Sequence, residues 1–284
     1  SPKKFNLLEL GAGNGEMMKV IIETLKNFPE CSLNCNFQIH EKSELLKKKQ
    51  QLNLKSEKIT WIEDVKINNS YPTIFLANEF FDALPIKQFF KKKEVWVERF
   101  VHFKEKAEFK EQPADIKKIE HNLNFTISKE QEVIEYSPGS FEYLKNICNL
   151  IKKNDGGILI IDYGYLDLKM HETLQAIKNH KYSNILEDIG DSDITYNINF
   201  SLFKKFTEQF DELDSIISNH KKFLTSMGIV QRAEIISENI PFSEKSDLFY
   251  RIRRLIDEKQ MGELFKVMLI KKKNNKFKTG FEID

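Results

Sequence analysis

The run Phe5-Asn6-Leu7-Leu8-Glu9-Leu10 stops on Gly11-Ala12-Gly13-Asn14-Gly15, after which Met17, Met18, Val20, Ile21, Ile22 and Leu25 recur at helical spacing as far as Pro29. A short apolar run, a glycine-rich turn and an amphipathic helix in direct succession predict a buried strand feeding a helix. The pattern then repeats. Residues 36–40 read as a second strand running into Glu41, Ser43 as the N-cap of a helix to about Leu52, residues 58–62 as a third strand ending in Glu63-Asp64, and residues 72–77 as a fourth ending in Asn78-Glu79. Four strands that each close on a polar or glycine residue predict an α/β fold with a doubly wound parallel sheet.

From Ile86 to about Glu135 the texture changes. Phe89-Phe90, Val95-Trp96-Val97 and Leu123-Asn124-Phe125-Thr126-Ile127, set between charged stretches, suggest inserted β-hairpins. A helix over about 138–152 and the buried strand Ile158-Leu159-Ile160-Ile161 resume the sheet. Helices are expected over 202–213, capped by Ser201, over 220–227 and over 248–258, before a last, near-edge strand over 264–270. The run Lys271-Lys272-Lys273-Asn274-Asn275-Lys276 reads as a solvated loop.

Composition excludes several classes. With 284 residues, 40% hydrophobic and 31% charged, the chain has the makings of a buried core. Its 44 Lys+Arg against 43 Asp+Glu leave a net charge of +1, so no global field calls for nucleic acid or an anionic membrane surface. No stretch approaches the roughly 18 apolar residues of a membrane helix, and residues 1–5 carry no apolar secretory segment. The expectation is a soluble intracellular protein. Cys31, Cys35 and Cys148 read as reduced thiols, and His40, His102, His121, His171, His180 and His220 show no metal-ligand spacing, so no metal is expected.

Three places carry candidate chemistry. The first is the turn itself, where Gly11, Gly13 and Gly15, with Ala12 between them, let backbone approach a ligand and Glu9 stands two residues ahead of the first glycine. A dinucleotide fingerprint reads G-x-G-x-x-G, whereas this chain reads G-x-G-x-G, a spacing that disfavours a nicotinamide-dependent oxidoreductase. It resembles class I S-adenosylmethionine-dependent methyltransferases, in which the loop holds the zwitterionic amino-acid end of the cofactor and an acid has reason to face the ammonium. The second is Glu41, 28 residues beyond Gly13, either a ribose acceptor or a plain surface charge, with the excess spacing assigned to a loop around residues 29–34. Asp64 is placed near the adenine amine or at the surface. The third is Asn78-Glu79-Phe80-Phe81-Asp82-Ala83-Leu84-Pro85, where Glu79 and Asp82 flank two aromatics and either face a cationic substrate or, for Asp82, cap a loop.

Taken with Leu8–Gly15, the block at 78–85, Ile161-Asp162-Tyr163-Gly164, the stretch 192–200 and Met261-Gly262-Glu263-Leu264-Phe265-Lys266-Val267 make the chain resemble the MidA family of methyltransferases, in family order over nearly its whole length. The resemblance implies a Rossmann-like class I methyltransferase fold with inserted β-hairpin and helical substrate-binding elements. It implies one domain over 1–284, its core in about 1–85, 138–165 and 261–284, its insertions in about 86–137 and 190–260, without the helical segment that family members carry ahead of the glycine motif. The implied cofactor is S-adenosylmethionine, with Glu9, Gly11, Ala12, Gly13, Gly15, Glu41, Asp64 and Asn78 binding it and Glu79 and Asp82 beside the substrate. The implied substrate is a protein arginine, on a subunit of the respiratory NADH dehydrogenase (complex I). A methyltransferase-like scaffold that clamps a partner during assembly without turnover is the alternative. Ala12 stands where the family usually has proline.

Overall fold

A computed structural model describes residues 4–55, 57–66, 70–179, 181–187 and 189–282; His180 lies outside them. In chain order the elements begin with β1 (Phe5–Leu10), α1 (Glu16–Leu25), α2 (Pro29–Asn34), β2 (Cys35–His40), α3 (Glu44–Asn53), β3 (Ile59–Ile62) and β4 (Thr73–Asn78). They continue with β5 (Lys87–Lys92), β6 (Val95–Phe103), β7 (Ala107–Pro113), α4 (Ile116–Leu123), β8 (Val133–Tyr136), α5 (Pro138–Asn154) and β9 (Gly156–Tyr165). There follow β10 (Gln175–Lys178), β11 (Lys181–Ser183), β12 (Asp193–Thr195), β13 (Ile198–Asn199) and α6 (Phe200–Thr207). The last are β14 (Leu213–Asn219), α7 (His220–Ser226), α8 (Ile229–Glu238), α9 (Phe242–Ile256), α10 (Met261–Leu264) and β15 (Phe265–Lys272).

Two compact units share the chain: residues 1–80, 145–163 and 207–284 form the first, residues 81–144 and 164–206 the second. The division therefore falls at residues other than the expected insertion limits of 86–137 and 190–260. In the first unit one sheet runs in the order β14-β15-β9-β4-β1-β2-β3. The strands from β9 to β3 are parallel, and β15 lies antiparallel between β9 and β14. Apolar residues on both faces of β1 explain its near-complete burial, as a parallel strand covered on two sides requires. Leu7, Met18, Ile22, Ile39 and Leu54 make one core cluster under α1, and Phe223, Val267, Leu269 and Phe281 make another under α7. Between these clusters, over β4 and β9, lies an apolar cavity of about 720 Å³ lined in part by Phe5, Ile74, Leu76, Leu159 and Leu269, with Ile74 42% exposed. None of the glycine-loop residues borders it.

The second unit holds an antiparallel sheet, β7-β6-β5-β8, a three-stranded one, β11-β10-β12, and the short pairing of β13 with Gly164 and Tyr165. Its core is aromatic: Phe81 meets Phe203 edge-on at 5.4 Å, and Phe141 packs on Tyr136, Phe203 and Phe206. Buried Glu135 ties it together by accepting from Gln88 Nε2 (2.8 Å), Thr173 N (3.0 Å) and Leu174 N (3.1 Å).

Several segments fold otherwise than their local pattern predicts. Residues 29–34 are a helix and not a loop, because Pro29 at the first helical position supplies the right φ and Glu30 follows in the first turn. The alternation at 123–127 is no strand: Leu123 is buried as the last residue of α4, Asn124 closes that helix in the left-handed region (φ 60°), and Ile127 is buried from the irregular segment that follows. Asn199, not Ser201, caps α6, accepting from Leu202 N at 3.0 Å, while Ser201 Oγ donates to Leu166 O. That helix stops at Thr207, and β14 occupies 213–219, where helix was expected to end. Nor is Lys271 in a solvated loop. It ends the buried part of β15 at 2% exposure, its ammonium donating to Asn275 O at 2.6 Å.

Gly156 opens β9 at φ +110°, and an added Cβ would sit 2.0 Å from Thr73 O. Gly156→Ala is therefore expected to destabilise the protein by about 3 kcal/mol or more, seen as a lower urea midpoint at unchanged slope.

Candidate functional site

The parallel register brings the carboxyl ends of three neighbouring strands level. Leu10 of β1 lies beside His40 of β2 and Ala77 of β4, so the residues that follow them, Gly11, Glu41 and the pair Asn78-Glu79, share one edge of the first unit's sheet. This is where a doubly wound sheet presents ligands.

The loop departs from that edge through left-handed backbone at Gly11 (φ +64°), Gly13 (φ +53°) and Gly15 (φ +85°). Gly11 N donates to His40 O at 2.9 Å and Gly15 N to Ala12 O at 2.7 Å. A Cβ at Gly11 would come within 2.8 Å of the Phe80 ring, and one at Gly15 within 2.8 Å of Leu54, so these two positions are closed to side chains by packing as well as by φ. Gly13 differs: nothing lies within 4 Å of where its Cβ would be. Ala12, expected to bind cofactor, sends its side chain into the α1 core cluster, which leaves only its backbone for the site.

Glu9 is 3% exposed. It accepts from the Met18 backbone, and its Oε2 has no hydrogen-bond partner among the described residues. Burial raises its carboxyl to about 7, against which the Met18 hydrogen bond works weakly. His40, next to the loop, is also buried; its Nδ1 lies 3.1 Å from Ile62 O, which can only accept, so the proton sits on Nδ1, and burial holds the ring's basicity down.

Glu41 is half-buried, its Oε1 accepting from Ser43 N (2.9 Å) and its Oε2 from Gln50 Nε2 (3.0 Å). Gln50, which the sequence reading passed over, also donates to Gly13 O (2.9 Å) and accepts from Trp61 Nε1 (2.9 Å). Asn53 adds a bond to Asn14 O at 2.9 Å. Gln50 and Asn53 stand i, i+3 on α3 with Leu54 at its C-cap, so the three share one face of the helix end. Asp64 is exposed and folds back on Lys66 N at 2.8 Å, a turn after β3. Asn78 Nδ2 reaches Glu79 Oε1 at 3.5 Å. Glu79 is exposed, in left-handed backbone (φ 48°), with its N–H held by Ile161 O at 2.9 Å. A glutamate held there departs from its preferred conformation, as residues at functional sites often do. Asp82 belongs to the second unit, buried, its Oδ2 accepting from Thr195 Oγ1 at 2.6 Å.

A loop with open space at its central glycine, beside a buried carboxylate with one unsatisfied oxygen, suits a ligand that brings a cationic group to a backbone cradle. A family profile described as "Putative S-adenosyl-L-methionine-dependent methyltransferase" matches residues 1–218. This chain belongs to that family, the MidA-type methyltransferases. The chain is 24% identical over 300 residues to a mitochondrial protein arginine methyltransferase NDUFAF7 of Xenopus tropicalis, covering 93% of this chain and 67% of that one. It is 26% identical over 294 residues to its Homo sapiens counterpart, covering 92% and 65%. It thus spans about two thirds of the length of these relatives. A Burkholderia thailandensis protein crystallised with S-adenosyl-homocysteine shares the fold, with a TM-score of 0.76 at 20% identity over 99% of this chain and 73% of the other.

The residues of this MidA-family loop fit S-adenosylmethionine, since an ammonium would satisfy the orphaned Glu9 oxygen. In its absence Glu9 is a burden on folding. With an ordinary carboxylate pKa when unfolded and about 7 when folded, its contribution is complete below about 4.5 and lost as pH rises through about 7, on the order of 3 kcal/mol at most. Glu9→Gln should raise the thermal midpoint of the ligand-free protein at pH 8 and leave it nearly unchanged at pH 5, as differential scanning fluorimetry at the two pH values will read.

Proposed function

We propose that the chain works as a single methyltransferase domain that moves the methyl group of S-adenosylmethionine to an arginine of a protein. The substrate we favour is a subunit of the respiratory NADH dehydrogenase, methylated in support of its assembly, in the mitochondrial matrix if the source is eukaryotic and in the cytoplasm if bacterial. The observation that carries the cofactor half is the orphaned Glu9 oxygen two residues ahead of the open glycine loop. The names of the relatives carry the arginine half.

In this reading the amides at Gly11, Ala12, Gly13 and Gly15 line the amino-acid end, Glu9 faces the ammonium and Glu41 accepts from the ribose hydroxyls. Asn78 borders the cofactor from the end of β4, and Asp64 lies towards the adenine. Bound cofactor supplies an electrophilic methyl group on a sulfonium. The protein's task is the other partner, a delocalised guanidinium that remains protonated and offers no ready lone pair. An exposed carboxylate at Glu79 orients such a fork by paired hydrogen bonds and draws positive charge onto the nitrogens that do not react, freeing electron density on the one that does, which gives up its N–H proton to solvent as it takes the methyl group from sulfur. Asp82, anchored by Thr195, is the second acid we assign to the substrate.

Two measurements test this. Glu79→Gln should lower the rate of labelled-methyl transfer to arginine by about 10²–10³ while leaving S-adenosyl-homocysteine affinity intact; transfer at the wild-type rate removes Glu79 from the mechanism. Because the ammonium selects ionised Glu9, affinity for S-adenosyl-homocysteine should strengthen as pH rises from 6 to 8, and calorimetry showing no such trend removes Glu9 from the site.

A further inference from the structure

Gln50 is fully buried, and both hydrogens of its amide are spent on groups of the candidate site. Its Oε1 takes the Trp61 indole N–H at 2.9 Å, and because an indole nitrogen can only donate, the amide can be oriented in one way alone. Both Nε2 hydrogens therefore point away from β3, one to Gly13 O at 2.9 Å and the other to Glu41 Oε2 at 3.0 Å. One planar group thus spans the glycine loop and the acid after β2, elements 28 residues apart in sequence.

We infer that Gln50 is a positioning residue which locks the Gly13 peptide and the Glu41 carboxylate into one rigid unit, so that the amino-acid end and the ribose of the bound cofactor are recognised together. The inference rests on the S-adenosylmethionine reading above and deepens it. A core glutamine with no stake in the ligand would need partners of any kind; this one uses a loop carbonyl at the glycine that packing leaves open and a carboxylate whose remaining lone pairs are free to accept hydroxyls. With Ser43 N on Oε1 and Gln50 on Oε2, the Glu41 rotamer is fixed before ligand arrives, which lowers the ordering cost of binding.

The test is a binding cycle with S-adenosyl-homocysteine on the full chain, by calorimetry. Wild type must bind for the cofactor reading to stand, and its failure to do so removes that reading and this one together. Given wild-type binding, Gln50→Leu should weaken affinity tenfold or more, and the combined Gln50→Leu, Glu41→Gln loss should fall well short of the product of the single losses, because the two residues act as a unit. In turnover the same variant should raise KM for S-adenosylmethionine while kcat stays within about threefold. A loss below twofold, or strictly multiplicative losses, overturns the inference while leaving the cofactor reading in place. Should Gln50→Leu not fold, the isosteric Gln50→Glu serves. It sets a second carboxylate against Glu41, so its affinity relative to wild type should be poorer at pH 8 than at pH 6, and a ratio that does not move with pH overturns the proposal.

Discussion

Backbone handedness governs this molecule's site. Gly11, Gly13 and Gly15 all occupy the left-handed region, and Phe80 and Leu54 stand where side chains at the first and third would project. The loop is therefore shaped from outside as much as from within: β4 supplies the wall behind Gly11 through the residues just past its end, and α3 the wall behind Gly15. Only at Gly13 does the wall open. From that arrangement follow the direction in which α1 leaves the sheet, the exposure of the loop's central peptide and the proximity of Gly11, Glu41 and Asn78-Glu79 along one edge.

The chain's carboxylates divide by what surrounds them. Glu135 accepts from Gln88, Thr173 and Leu174, and Glu120 from Ile127 N, Ser128 N and Ser128 Oγ, which is how a buried or half-buried acid becomes part of a scaffold. Glu9, more deeply placed than either, has an oxygen with no partner among the described residues. Evolution towards stability alone would replace such a residue with a neutral one, so its presence beside the glycine loop fits the common exchange of folding free energy for binding.

The parallel half of the fold was legible because its signals are local. Strand runs closing on polar residues, the Ser43 cap, confirmed by Ser43 Oγ accepting from Leu46 N at 3.3 Å, and the glycine turn each announce themselves within a few residues. What escaped was what depends on distant partners. β14 is Leu-Asp-Ser-Ile-Ile-Ser-Asn, too polar to read as a buried strand until β15 is beside it. Alternation at 123–127 mimicked a strand because Leu123, the last residue of α4, and Ile127, in the segment after it, are both buried an even number of residues apart, as side chains on one face of a strand are. The glycines and acids of the site were visible as types, whereas Gln50, Phe80 and Leu54 entered only through contacts, and Ala12 turned its side chain away into the core.

β15 is threaded between two strands made earlier, β9 about a hundred residues upstream and β14 some fifty, and it is buried through seven of its eight positions. A nascent polypeptide emerging from the ribosome therefore carries β9 and β14 as two raw edges until residue 272 has cleared the exit tunnel. During that interval the growing product depends on chaperones or on speed to escape edge-to-edge association, since long-range antiparallel insertion is the slow part of assembling such a sheet.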